Sequence, residues 1–167
     1  MPFDLPLTIG PFSVDTNGGL SPRDGKNFPS FQVTWRNCRV AAVMRQAETT
    51  QDGPALALSV IVGAVPSTAG DDPDLAQARR VRVLGALRCL PGLTPPGWQV
   101  QVRADHRVAV AADIQLRLPV RAVSLIGAIT GFLIALAPYL DMLDELGLAG
   151  AAPAGAGLSG TRKTWPG

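Results

Sequence analysis

In a chain of 167 residues with one histidine, the choice of general base is narrow: His106 stands between Asp105 and Arg107. A Ser-His-Asp or Cys-His nucleophilic site would have to be built around it, in a concave pocket with a carboxylate orienting the imidazole. Ala104, Asp105 and His106 instead interrupt an alternating run and read as a solvated turn. The nucleophile elbow G-x-S-x-G, the zinc motif H-E-x-x-H, the P-loop and a G-x-G-x-x-G after a strand do not occur in the sequence. Cys38 and Cys89 are too far apart for a redox C-x-x-C pair or a zinc knuckle, and two thiols make no disulfide framework.

Two carboxylate groups remain. In the first, Asp71, Asp72 and Asp74, Asp72 suits a helix N-cap, Pro73 the first helical position and Asp74 the positive end of the helix dipole. In the second, Asp141, Asp144 and Glu145 are three and four residues apart, which gathers three carboxylates on one patch of a helix surface. A hard cation needs more oxygen ligands than that patch supplies, so the reading is a solvated helix end. No metal, no cofactor and no catalytic residue are expected, and the chain is read as a non-enzyme.

The net charge of +2 rests almost entirely on arginine. Arg36, Arg103, Arg107 and Arg117 fall on the side of their strands opposite the bulky apolar residues, which makes them a candidate basic sheet face. A nucleic-acid surface would add stacking aromatics between them. Phe31, Trp35 and Trp98 fall on the other side, so nucleic acid is not the expected partner.

The elements that must position these residues follow from hydrophobic periodicity. Phe31, Val33 and Trp35 alternate with polar residues, turn at Arg36-Asn37 and resume over 39–46 as a hairpin. Leu56, Leu58, Val60 and Val62 then make the bulky side of a strand whose other side carries Ala55, Ala57, Ser59 and Gly63. A helix is predicted from Pro73 to about Leu90, stopped by Pro91-Gly92, with Leu75, Ala78, Val81, Leu84, Leu87 and Leu90 as its apolar stripe and Arg79, Arg82 and Arg88 on the wetter side. Trp98, Val100 and Val102 open a second hairpin. It continues to Leu118, with Val108, Val110, Ala112, Ile114, Leu116 and Leu118 on one face. The two hairpins can be laid over one another, Phe31 on Trp98 and Arg39 on Arg107.

The stretch around which these elements are organised is 120–146. Residues 122–140 carry no charge, and Leu125/Ile126, Ile129, Phe132/Leu133, Leu136, Leu140 and Leu143 recur at helical spacing as a core stripe. Ser124, Gly127, Gly131, Ala135 and Pro138 make the other side small. Such a run also has the length of a bilayer span, and Gly127-x-x-x-Gly131 is the small-residue pattern of membrane helix pairs. Against a span stand Ser124, Thr130, the two glycines and a preceding strand that needs an apolar cover in water. The preferred reading is a helix lying on a sheet, with Gly127, Gly131 and Ala135 as the candidate partner or dimer face; a membrane-attached helix is the alternative.

A hydrophobic content of 47% with 17% charge suits one well-buried domain. Residues 1–148 are expected to form it, with 1–30, rich in turn formers, irregular or a short edge strand or hairpin. Residues 149–167, rich in Gly, Ala and Pro, read as a flexible tail. The N-terminus has no basic stretch followed by a long apolar one, so no secretory signal is read and a cytoplasmic location is expected.

The order βββ-α-ββ-α over roughly 31–147, closing with the strand RVAVAADIQLRLPV and the helix VSLIGAITGFLIALAPYLDMLDELG, resembles the type III secretion chaperone-like superfamily, which includes YbjN-type proteins. The resemblance implies an antiparallel sheet with helices packed on it, commonly a homodimer, binding an extended segment of a client protein. It assigns no functional residue. Two departures from it are the mildly basic balance and the lack of a helix before the first strand. The combined expectation is a two-layer α+β fold with an antiparallel sheet covered on one face by two helices. Its core should include Val33, Trp35, Leu58, Val60, Leu84, Leu87, Val110, Ile114, Leu116, Ile129, Phe132, Leu133 and Leu136. The expected role is a protein-binding or chaperone-like module acting as a homodimer.

Overall fold

A computed structural model describes residues 7–23, 29–45, 53–67 and 72–148. Asp71 and the tail 149–167 lie outside the described residues. The described chain is α+β, with two antiparallel sheets and two helices. Strands β1 (Leu7–Ile9), β2 (Phe12–Val14) and β3 (Leu20–Pro22) form a small sheet of three, where the sequence suggested at most one hairpin. The main sheet has five strands: β4 (Ser30–Trp35), β5 (Cys38–Arg45), β6 (Ala55–Ala64), β7 (Trp98–Val102) and β8 (Arg107–Gln115), in the order β4-β5-β6-β8-β7. Helix α1 (Pro73–Leu93) connects β6 to β7, and α2 (Ala122–Glu145) follows β8.

Register decides which side of each strand is buried. Val40, Ala42 and Met44 of β5 lie opposite Val60, Leu58 and Leu56 of β6, and these in turn lie opposite Val110, Ala112 and Ile114 of β8. With a period of two, the whole row faces the helices, and all but the half-buried Ile114 are under 9% exposed. Leu125, Ile129, Phe132, Leu136 and Leu143 of α2 and Val83, Leu87 and Leu90 of α1 close over it. Val33, Trp35, Leu84, Ile114 and Leu133 pack at the margin rather than at the centre. Phe12, only 1% exposed, extends the core to the small sheet through an edge contact with Phe31, ring centroids 6.1 Å apart.

One helix face and two boundaries differ from the periodic reading. Helix α1 turns its 4-3 series Ala76, Arg80, Val83, Leu87, Leu90 inward, and Leu75 and Val81 are left 68% and 59% exposed. A strict step of three, as in the expected stripe, drifts around a helix of 3.6 residues per turn. Pro91 sits in the last turn of α1, where only one intrahelical hydrogen bond is lost, and the helix continues to Leu93. Strand β8 ends at Gln115; Leu116 is still buried, its N–H donating to the Pro54 carbonyl at 2.9 Å, but Leu118 is 67% exposed.

The helix starts are built differently. Asp72 accepts from the Asp74 and Leu75 amides, both at 3.1 Å, with Pro73 following, as its sequence predicts. Helix α2 begins at Arg121 with no side-chain cap. The loop before β3 replaces it: Asp15 accepts from Asn17 and Gly19 at 2.8 and 2.7 Å, and the Gly18 carbonyl so placed takes the Ala122 N–H at 2.9 Å. The small sheet therefore acts as the N-terminal cap of α2.

Candidate functional site

Chemistry that needs a general base has little to work with at His106. The residue is exposed in the turn between β7 and β8, with φ 61°, and its neighbour Asp105 is turned to Arg107 at 3.6 Å. The carboxylate that would orient the imidazole is thus held by an arginine. Among the described residues no group of three or more His, Cys, Asp and Glu is placed to hold a metal ion. Cys38 is half-buried and Cys89 exposed, both as free thiols, and burial pushes the Cys38 thiol up.

Of the four arginines of the expected basic face, Arg36 leaves it. It occupies the two-residue β4–β5 turn with Asn37, at φ 46° and 61°, the conformation a tight hairpin demands. From there its guanidinium crosses the Trp35 ring at 5.0 Å and donates to Asp141 of α2 at 2.7 Å, on the helix side of the sheet. Arg103 and Arg117 lie beyond their strands and are exposed, and Arg107 remains on β8 facing away from the helices. No continuous basic band results.

What the uncovered face offers instead is a lane of small side chains. Ala41 of β5 lies opposite Ser59 of β6 and Ser59 opposite Ala111 of β8, while Ala57 is flanked by Val43 and Asp113 and Ala109 by Ile61. Gln32, Gln99, Gln101 and Gln115 border them on the same side, and Gln99 and Gln101 pair with Ala111 and Ala109. Because β6 presents only methyl groups at Ala55 and Ala57, Arg45 of β5 can approach Asp113 of β8 across it, to 3.9 Å. With side chains 64% and 52% exposed, that pair adds at most about 1 kcal/mol. The outer sides of β4 and β7, the first and last strands in the sheet order, pair with no described strand.

The second surface is the outer side of α2. Gly127 and Gly131 are exposed, with open space where a Cβ would stand. Ala135 is half-buried, because a step of four residues advances the stripe by about 40°. Ile126, placed in the core stripe by sequence, is 52% exposed; Val123 is 81% and Ile134 69%. Helix α2 is long and apolar enough to cross a membrane, yet only 22% of its most apolar window is buried. Its inner side is nevertheless anchored: Trp98 packs on Phe132 and Tyr139, at centroid distances of 4.8 and 6.0 Å, and the Tyr139 hydroxyl donates to the Leu93 carbonyl at 2.7 Å. Beyond its end, Arg79 of α1 donates to the Gly147 carbonyl at 3.0 Å.

Comparison with protein-family models, with curated proteins and with solved structures gives no match. Sequence reasoning missed the exposed branched side chains of α2. Their signal was partial: an apolar helix that packs on a sheet with one side has a second side to account for, but no charge within 122–140 marks which residues lie on it.

Proposed function

We propose that the protein is a non-enzymatic, chaperone-like protein-binding module, a cytoplasmic homodimer of the kind the type III secretion chaperone-like resemblance implies. The observation that carries the reading is the one-sided cover of the main sheet. Helices occupy one face, and the other carries the row Ala41, Ser59 and Ala111, with Ala57 beside Val43 and Ala109 beside Ile61 in the neighbouring rows, edged by glutamine amides and by Arg39 and Arg45. A row of small side chains flanked by Val43 and Ile61 accepts an extended segment of varied sequence, its edge amides and guanidinium groups meet backbone carbonyls, and terminal strands add a further place for strand pairing. Gly127, Gly131 and Ala135 belong to the face assigned to the second subunit.

The test uses a carboxymethylated, permanently unfolded polypeptide as the probe, with binding followed by fluorescence anisotropy. Micromolar binding that is lost in Ala111→Glu and Ser59→Arg, with far-ultraviolet circular dichroism unchanged, supports the role. Equal binding by those variants, or none by the wild type, overturns it.

A membrane-attached role is the second reading, favoured by the low burial of α2. A spanning α2 would strip Leu58, Val60 and Val110 of their cover, since the same helix closes the core. The membrane reading is therefore one of surface attachment. Flotation with vesicles would support it.

A further inference from the structure

Resting on the homodimer reading, we infer that the second copy docks through α2 against α2, antiparallel across a two-fold axis near Thr130 and Gly131. Val123, Gly127, Thr130 and Ile134 follow one another at steps of four and three on the solvent side of the helix, all exposed. This is the spacing of a helix-pairing seam. The central glycines leave grooves, and an antiparallel partner brings its Ile134 toward them.

The charges select this occupant and this direction. The N-terminal end of α2 carries Arg121, with no acidic residue in the first turn. Its C-terminal end carries Asp141, Asp144 and Glu145, with no basic residue in the last turn. Both ends oppose their own helix dipole, which favours acids at the start and bases at the end. Within the chain, Arg36 answers Asp141, while the salt bridges among described residues include neither Asp144 nor Glu145. Arg121 lies about 15 Å, and Asp144 and Glu145 about 20 Å, from the centre of the charge-free stretch. An antiparallel copy therefore sets Arg121 of each chain beside the acidic end of the other, and both misplaced charges are answered twice under two-fold symmetry. A parallel pair would stack like charges. An anionic lipid surface would meet the acidic end of α2 unfavourably.

The experiment is light scattering on the full chain, without detergent, at low and high salt. Wild type is expected at twice the chain mass, and Ile134→Glu as a monomer with unchanged circular dichroism. Arg121→Glu and Glu145→Arg each raise the dimer Kd by roughly 2- to 30-fold, because each substitution counts at two contacts. The double variant recovers the wild-type value. A wild-type monomer overturns both the homodimer reading and this docking. A dimer that persists in Ile134→Glu, or a double variant weaker than either single, keeps the homodimer and overturns this docking alone. A protein that stays in solution only with detergent overturns both in favour of the membrane.

Discussion

The two helices cover the same face of one sheet, yet only one of them finishes its outer side for water. Helix α1 turns Asp74, Gln77, Arg79, Arg82 and Arg88 outward, with Leu75 and Val81 as isolated apolar exposures of an ordinary kind. Helix α2 turns outward Val123, Ile126, Gly127, Thr130, Gly131 and Ile134, and the first charge after Arg121 is Asp141. Packing on the sheet explains the inner side of each and the outer side of neither. The difference lies in the outer sides alone, polar on α1 and apolar on α2.

If the inner sides are equivalent, removing bulk from either should cost alike. Leu136→Ala in α2, where Leu136 is 0% exposed, and Leu87→Ala in α1, where Leu87 is 7% exposed, should each lose about 2–5 kcal/mol by urea unfolding. A loss in α1 alone would mean that α2 is not held as described, and would break the comparison at its base. The outer sides should then part company. Ile134→Ser should shift solution mass, whereas Val81→Ser should leave both mass and stability within about 0.5 kcal/mol.

The helix starts sharpen the contrast at a smaller scale. Asp72→Ala removes a side-chain cap and should cost about 1 kcal/mol, fraying α1 alone in hydrogen exchange. Asp15→Ala should fray α2 instead, although Asp15 lies more than a hundred residues upstream of it, since the carboxylate shapes the loop whose Gly18 carbonyl receives Ala122.

The smallest effect is at the thiols. Burial raises the Cys38 thiol above its ordinary value. The native state therefore resists ionisation that the unfolded chain undergoes. The associated stability is complete below the ordinary thiol value and is lost as pH rises through the raised one. Alkylation at mildly basic pH should accordingly modify Cys89, exposed on α1, well before Cys38, by mass spectrometry.

Much of the fold was legible because its signals are local. Alternation located β4 to β8, and Asp72-Pro73-Asp74 located the start of α1. The layering of helices on one face followed from Leu56, Leu58, Val60 and Val62 being bulky where Ala57 and Ser59 are small. What was not legible depends on distant partners. Phe12 enters the core only because the small sheet docks beside Phe31, and no period in residues 7–22 announces that. Arg36 was grouped with Arg103 and Arg107 by strand parity, but a positive φ in a two-residue turn breaks parity and sends it to Asp141. At the candidate surfaces, Gly127 and Gly131 were visible as a small-residue pair. The exposure of Ile126 was not, since a charge-free helix gives no polar residues to mark which side faces water.

The packing of α2 on β7 also gives the molecule its own optical gauge. Tyr139 is the single tyrosine of the chain, and its ring centre is 6.0 Å from that of Trp98. At such a separation excitation absorbed by the phenol passes to the indole before it can be emitted. Native protein should show almost no tyrosine emission, and that emission should emerge in proportion to the fraction of molecules whose α2 has left the sheet. The movement of one helix can thus be followed in unlabelled protein, apart from any change in its association.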